Sequence, residues 1–168
     1  MTNLADFLRR RIALDGPISI ADYMHDALGH PEFGYYIRQD PFGVHGDFIT
    51  APEISQMFGE LIGLWCAATW DQMEKPRKIR LVELGPGRGT LMSDALRATR
   101  GNIAFHKAIN VHLIETSKTL RACQRETLAD HHIDWHESLQ ALPDGPAIFL
   151  ANEFFDALPV HQLSLIHI

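Results

Sequence analysis

Two patterns of apolar positions divide the 168-residue chain near residue 77. Before that point, apolar residues recur at three- and four-residue spacing, which predicts helices over residues 4–14, 19–28 and 54–68. Gly16 and Pro17 end the first of them. The third helix is predicted to bury one full face. That face consists of Ile54, Met57, Phe58, Leu61, Trp65 and Ala68.

The segment between the second and third helices is rich in glycine and proline. We therefore expect a loop over residues 29–49, in which residues 35–37 form the only segment with strand character. Regular helical structure is predicted to resume at Thr50. The pair Thr50 and Glu53 matches a capping box, and Pro52 is tolerated in the first turn of a helix.

After residue 77, short apolar runs alternate with helical segments. The runs predict four strands, over residues 78–84, 109–114, 133–135 and 147–150. Helical spacing begins at Thr90, directly after the first strand, and returns after the second. Strands that alternate with helices indicate a parallel sheet with helices on its faces. The predicted fold class is therefore α/β, a Rossmann-like sheet preceded by a helical N-terminal extension.

The turn after the first strand carries the most specific chemical signal in the sequence. Glu83, Gly85, Gly87 and Gly89 form the pattern E-x-G-x-G-x-G. Glycines allow a ligand to approach the backbone closely, and the N–H groups at a helix start can bind a carboxylate. The dinucleotide pattern G-x-G-x-x-G would need a small residue where Thr90 stands. The turn is thus typical of S-adenosylmethionine (SAM) methyltransferases, and these four residues are candidate cofactor ligands.

Polar residues also follow two later strands. Glu115 follows the second strand, where a carboxylate would meet the ribose hydroxyls of a nucleotide lying across the glycine turn. Asn152, Glu153 and Asp156 come directly after the fourth strand. We assign Asn152 to the cofactor and expect Glu153 and Asp156 to be the catalytic residues that hold the methyl acceptor. A solvated loop is the alternative for these three residues.

Composition and residue spacing argue against nucleic-acid binding, metal binding and a membrane span. A net charge of −6 argues against a broad nucleic-acid surface, although residues 9–11 are three arginines. Cys66 and Cys123 are too far apart for a C-x-x-C site, and no apolar run approaches the length of a membrane span. His132 and His136 have helical metal-ligand spacing, but their segment has strand character, so we expect no metal. A protein of a reducing cytoplasm fits these features best.

Several blocks of the sequence resemble one family. They are residues 23–24, 34–36, 46–56, 83–89 and 152–159, in the family's order. The family is that of the mitochondrial complex I assembly factor that methylates an arginine, and of its bacterial relatives. The blocks at 46–56 and 152–159 are specific, whereas the glycine turn alone would fit many methyltransferases.

The resemblance implies a class I SAM-dependent methyltransferase. Its acceptor would be an arginine on a protein partner, a subunit of the NADH-quinone oxidoreductase. In the family pattern, the three glycines of the turn cradle SAM and Glu115 holds its ribose. We expect a helical region over residues 1–76 and the N-terminal half of a SAM-binding domain over residues 77–162.

Two alternatives and one departure accompany this interpretation. The alternatives are a nicotinamide-dependent oxidoreductase, which Thr90 disfavours, and a non-catalytic SAM-binding assembly chaperone. The departure is at the C-terminus, where residues 163–168 do not resemble the family's continuation and are expected to be a non-native tail. A sheet truncated after its fourth strand would leave an apolar edge, so this fragment is expected to be inactive.

Overall fold

The computed structural model describes residues 3–38 and 50–164. They form two compact units. One comprises the described parts of Met1–Pro41 and Phe155–Ile168, and the other comprises those of Phe42–Phe154. The first unit is helical, with α1 at Leu4–Asp15, α2 at Ile20–Gly29, α3 at Tyr35–Arg38 and a 3-10 turn at Phe155–Ala157.

Side-chain caps and one buried ion pair fix the first two helices, and both predicted helices are confirmed. The Asn3 side chain accepts a hydrogen bond from the Asp6 backbone N–H, and Ser19 caps α2 in the same way. Arg11 on α1 reaches Asp26 on α2 at 2.6 Å, and Asp22 at 3.0 Å. Because Asp26 is buried, its charge needs this partner.

The predicted strand at residues 35–37 is wrong, because these residues lie in helix α3. Aromatic and β-branched residues favour strands only where a partner strand is available. Here the Gly34 N–H donates to the His30 carbonyl at 2.8 Å, and the chain folds tightly back onto the end of α2. Residues 39–49, the rest of the predicted loop, lie outside the described residues, as do residues 165–168 of the predicted tail.

The second unit is a four-stranded parallel sheet with helices. The strand order is β3-β2-β1-β4, which confirms the predicted α/β class and all four strands. Helix α7 was not predicted. The elements are α4 Ala51–Ile54, α5 Gln56–Gln72, β1 Ile79–Leu84, α6 Thr90–Ala98, α7 Ile103–Ala108, β2 Ile109–Ile114, α8 Lys118–Thr127, β3 Ile133–His136, a 3-10 turn Leu139–Ala141 and β4 Ala147–Leu150.

A small hydrophobic cluster contains Val82, Leu84 and Ile114, and the main hydrophobic core lies on one face of this sheet. Alternate residues of every strand point into it, as the two-residue period of a strand requires. They meet apolar side chains of α5, α6 and α7, among which Cys66, Met92 and Phe105 have at most 1% of their surface exposed. No helix within the described ranges is long and apolar enough to cross a membrane.

Helix α5 buries the side opposite to the predicted one. Leu61 and Trp65 of the predicted face are 59% and 53% exposed, whereas Gly59, Gly63 and Cys66 are buried. The helix is apolar nearly all round, so spacing alone could not identify its packed side. The glycines identify the packed side, because a Cβ at Gly63 would lie 2.5 Å from the backbone of Ala95. The two glycines let α5 approach α6 closely.

Replacing Gly63 by alanine should therefore destabilise the fold. Alanine favours a helix by up to about 1 kcal/mol over glycine. The new methyl group would meet backbone atoms of α6, which cannot rotate away. We expect a net loss of about 1–3 kcal/mol in the free energy of unfolding, measured by urea denaturation. Gly101→Ala is the control, because a Cβ there meets nothing within 4 Å. Equal stability of the two variants would contradict the packing described for α5.

Candidate functional site

The site is built on the turn between β1 and α6. Five residues separate Leu84 from Thr90, and three of them are glycines with positive φ: Gly85 at 60°, Gly87 at 54° and Gly89 at 85°. The Gly89 N–H donates to the Pro86 carbonyl at 2.8 Å and closes the turn. The N-terminus of α6 is thereby brought to the carboxyl edge of the sheet, where parallel α/β proteins bind ligands.

Gly85 also allows close packing. Its N–H donates to the Ile114 carbonyl at 3.1 Å, so the pairing of β1 with β2 continues into the turn. A Cβ at this position would lie 2.5 Å from the ring of Phe154, which follows β4. The predicted turn thus lies between the ends of β2 and β4.

Glu83 is the most deeply buried acid of the predicted site. It is 3% exposed, and its Oε2 atom has no hydrogen-bond partner among the described residues. Burial raises the pKa of this carboxyl to about 8. Burial, together with the charge of Glu83, raises the pKa of the neighbouring Cys66 thiol to about 12. A buried carboxyl oxygen without a partner, beside the glycine turn, is suited to a ligand that donates a hydrogen bond or carries positive charge.

Glu115 lies at the end of β2, next to the turn. It follows Ile114, whose carbonyl accepts from Gly85, so the two predicted site elements meet. Glu115 is buried, with 8% of its surface exposed. It accepts hydrogen bonds from the Ser117 N–H at 2.8 Å and from Gln124 Nε2 at 3.3 Å. Burial raises the pKa of Glu115, and these hydrogen bonds oppose that rise.

Gln124 on α8 was missed by the sequence analysis. Its side chain is fully buried, and Nε2 donates to the Gly87 carbonyl at 2.7 Å as well as to Glu115. Its Oε1 accepts from Trp135 Nε1 at 2.9 Å. A signal was available, since Gln124 lies four residues after Leu120 and so occupies an inward position of an amphipathic helix. A polar residue at such a position marks a specific contact.

The predicted capping box at Thr50 is wrong. The Thr50 side chain makes no capping hydrogen bond, and α4 lasts only four residues before Ser55 starts α5. The Glu53 carboxylate instead accepts from the Thr90 hydroxyl at 2.7 Å. Thr90 opens α6, so Glu53 joins the border of the glycine turn.

The predicted acceptor residues follow β4. Because β4 pairs with β1, Asn152 and Glu153 come after the strand that adjoins Glu83. Asn152 is half-buried; Glu153 is exposed and has the left-handed backbone conformation, with φ at 48°. Asp156 is also exposed and lies in the 3-10 turn of the helical unit.

His132 and His136, whose spacing would suit two metal ligands on a helix, do not lie on a helix. His136 lies in β3, and its Nε2 is 2.9 Å from Nδ1 of His112 on β2. Neighbouring strands thus bring two histidines into a hydrogen bond. Among residues 3–38 and 50–164, no three His, Cys, Asp or Glu side chains are grouped as metal ligands.

Comparison with known proteins gives consistent matches. Residues 61–165 match the model of a family of S-adenosyl-L-methionine-dependent methyltransferases. The chain is 41% identical to protein arginine methyltransferase NDUFAF7, mitochondrial, of Xenopus laevis, over 97% of the chain and 43% of that protein. It is 40% identical to the human protein of the same name, over 96% of the chain and 42% of that protein. The chain therefore spans less than half the length of these relatives.

Solved structures agree with the sequence matches. A COG1565 superfamily member from Burkholderia thailandensis, bound to S-adenosyl-homocysteine, superimposes with a TM-score of 0.78 at 31% identity. The match covers 93% of this chain and 42% of that one. A native structure of a COG1565 superfamily protein from the same organism gives a TM-score of 0.70 at 32% identity, over 93% of this chain and 40% of the other.

The raised pKa of Glu83 predicts a pH dependence of stability. Between the ordinary value of 4.5 and about 8, the unfolded chain releases the Glu83 proton while the folded protein keeps it. The folded state is therefore penalised progressively as pH rises through this window, by on the order of a few kcal/mol. Glu83→Gln removes the titrating group. Relative to the wild type, this variant should gain stability in urea denaturation between about pH 5 and about pH 8.

The matched control is Glu126→Gln, which changes an exposed carboxylate on α8. Its stability relative to the wild type should not change with pH in this way. A difference between wild type and Glu83→Gln that stays constant from acid to mildly alkaline pH would show that folding does not raise the pKa of Glu83.

Proposed function

Since the chain belongs to the family of S-adenosyl-L-methionine-dependent methyltransferases, we propose that the full-length protein transfers a methyl group from SAM to an arginine side chain of a protein. We further propose that the acceptor is a subunit of the NADH-quinone oxidoreductase, as the family resemblance implies. The relatives that are named arginine methyltransferases support the proposed transfer to arginine. The observation that carries the proposal is the glycine turn with buried Glu83 and Glu115 beside it. Family membership removes the nicotinamide-dependent alternative.

The residues around the turn fit the methionine part of SAM. Its carboxylate is suited to the N-terminus of α6, where the first backbone N–H groups have no partner within the helix. Its amino group and sulfonium are positive, and Glu83 Oε2 is a buried acceptor without a partner in the described residues. Asn152, half-buried beyond β4, would supply an amide to the same ligand. A cation beside Glu83 would favour the ionised carboxylate and lower its pKa.

Glu115 fits the ribose. Ribose carries two neighbouring hydroxyls, and an ionised carboxylate can accept from both. Its position beside Gly85, one strand away from the turn, follows from the pairing of β1 with β2. A ligand whose carboxylate lies at α6 would therefore place its nucleoside toward β2.

The acceptor requires negative charge. Arginine has a pKa above about 12 and is cationic in water, so its site favours carboxylates. SAM supplies an electrophilic methyl group on sulfur when bound. In this proposal Glu153 and Asp156 bind the guanidinium and aim one nitrogen at that methyl group, and their contribution is mainly orientation.

Binding of SAM should depend on Glu115 and on the turn. A hydrogen bond to a charged group contributes about 1.5–3 kcal/mol, so Glu115→Ala should weaken SAM binding by roughly ten- to a hundredfold. Gly87→Val should weaken it as well, because its side chain would enter the ligand's space and its φ of 54° disfavours a β-branched residue. Isothermal titration calorimetry measures both. Glu126→Ala on the exposed side of α8 is the control, and unchanged affinity in both site variants would refute the assignment.

Methyl transfer should depend on the two exposed acids. Glu153→Gln and Asp156→Asn keep the shape of each side chain and remove its charge. Made in the full-length protein, these substitutions should lower radiolabel transfer from SAM to an arginine-containing protein by about ten- to a hundredfold and leave SAM affinity nearly intact. Glu137→Gln, another exposed acid, is the control. Full activity in both full-length variants would place the acceptor elsewhere. Binding of SAM without any transfer by the full-length wild-type protein would favour the assembly-chaperone alternative.

A further inference from the structure

The orientation of the Gln124 side-chain amide is determined by its three partners. The indole N–H of Trp135 can only donate, so the atom facing it at 2.9 Å is the amide oxygen. The Gly87 carbonyl and the Glu115 carboxylate accept, so the amide nitrogen faces both of them. Every polar group of this fully buried side chain therefore has a partner. A buried amide is stable only under that condition.

The bridge joins parts of the site that come from separate segments. Gly87 belongs to the turn after β1, Glu115 follows β2, Gln124 is on α8 and Trp135 is on β3. One nitrogen atom contacts both the turn and the acid. The distance between the glycine turn and the Glu115 carboxylate is therefore held through Gln124.

The Gln124 contact is one of two hydrogen bonds that orient the Glu115 side chain. The backbone of Glu115 is fixed independently, because its N–H donates to the His136 carbonyl at 3.0 Å and its carbonyl accepts from Arg121 Nε at 2.8 Å. Its side-chain oxygens are held by the Ser117 N–H and by Gln124. An ionised carboxylate has roughly four acceptor sites, so two remain for the two hydroxyls of a ribose.

We propose that Gln124 is a positioning residue of the nucleoside site, which holds the Glu115 carboxylate relative to the glycine turn and so sets the preference for a ligand with free ribose hydroxyls. This inference rests on the proposed role of Glu115 in binding the ribose. Trp135 acts one step further out, because its indole N–H fixes which end of the Gln124 amide faces the site.

The test compares S-adenosylhomocysteine with its 2′-deoxy analogue by isothermal titration calorimetry. The wild-type protein should prefer the ribose form by about tenfold or more, the effect of one hydrogen bond to a charged group. Gln124→Met keeps the length of the side chain and removes its donors, and should reduce this preference to about threefold or less. Trp135→Phe should give an intermediate preference. Gln140→Met, at an exposed glutamine, should leave the preference unchanged.

Each outcome has a defined meaning because the ratio is measured within one variant, and a general loss of stability affects both ligands equally. A folded Gln124→Met protein with the wild-type preference would overturn the proposal. If that variant does not fold, Trp135→Phe decides, and an unchanged preference there would overturn it equally. A wild type that binds both ligands with the same affinity would refute the ribose role of Glu115, and with it this inference.

Discussion

The structure depends on a backbone constraint in the five residues between β1 and α6. The chain must reverse from a central strand into a helix, and three of these residues have positive φ. A residue with a side chain would cost about 1–3 kcal/mol at each such position. Because glycines occupy these positions, the turn is compact. Gly85 can therefore continue the β1–β2 pairing, and the Gly87 carbonyl can accept a hydrogen bond from the Gln124 side chain. The rest of the site is arranged around those two contacts.

Within the described part of the chain, the buried polar groups around this turn are of two kinds, those with hydrogen-bond partners and those without. Glu115 and Gln124 form a connected set in which each buried group has a partner. Glu83, in contrast, has one buried oxygen without a partner among the described residues and a pKa raised to about 8. Buried polar groups normally have hydrogen bonds, and exceptions are concentrated at functional sites. The structure thus combines a satisfied hydrogen-bond network, beside the position proposed for the nucleoside, with a costly buried carboxyl that a cationic ligand would relieve.

The sequence predicted the sheet unit well because its signals are local. An apolar run followed by a glycine turn specifies a buried strand, and all four predicted strands are present. Three of the features that escaped prediction depend on tertiary contacts. Tyr35 and its neighbours have strand propensity, but the Gly34–His30 hydrogen bond folds the chain back onto the end of α2 and they form α3. Helix α5 is apolar nearly all round, and the close approach of α6 at Gly63 selects its packed side. Gln124 interrupts an apolar stripe, and its partners come from other segments.

Hydrogen–deuterium exchange with S-adenosylhomocysteine tests the central claim most directly, since it reports which backbone segments a ligand contacts. The account predicts slower exchange, at saturating ligand, in peptides covering residues 85–91 and 115–124. Peptides covering helix α7, Ile103–Ala108, which lies away from the turn in sequence and packs into the core, should be unchanged. Protection of the turn and of the Glu115 segment together would support a single cofactor site bridged by Gln124. Saturated binding that leaves both segments unprotected would contradict it.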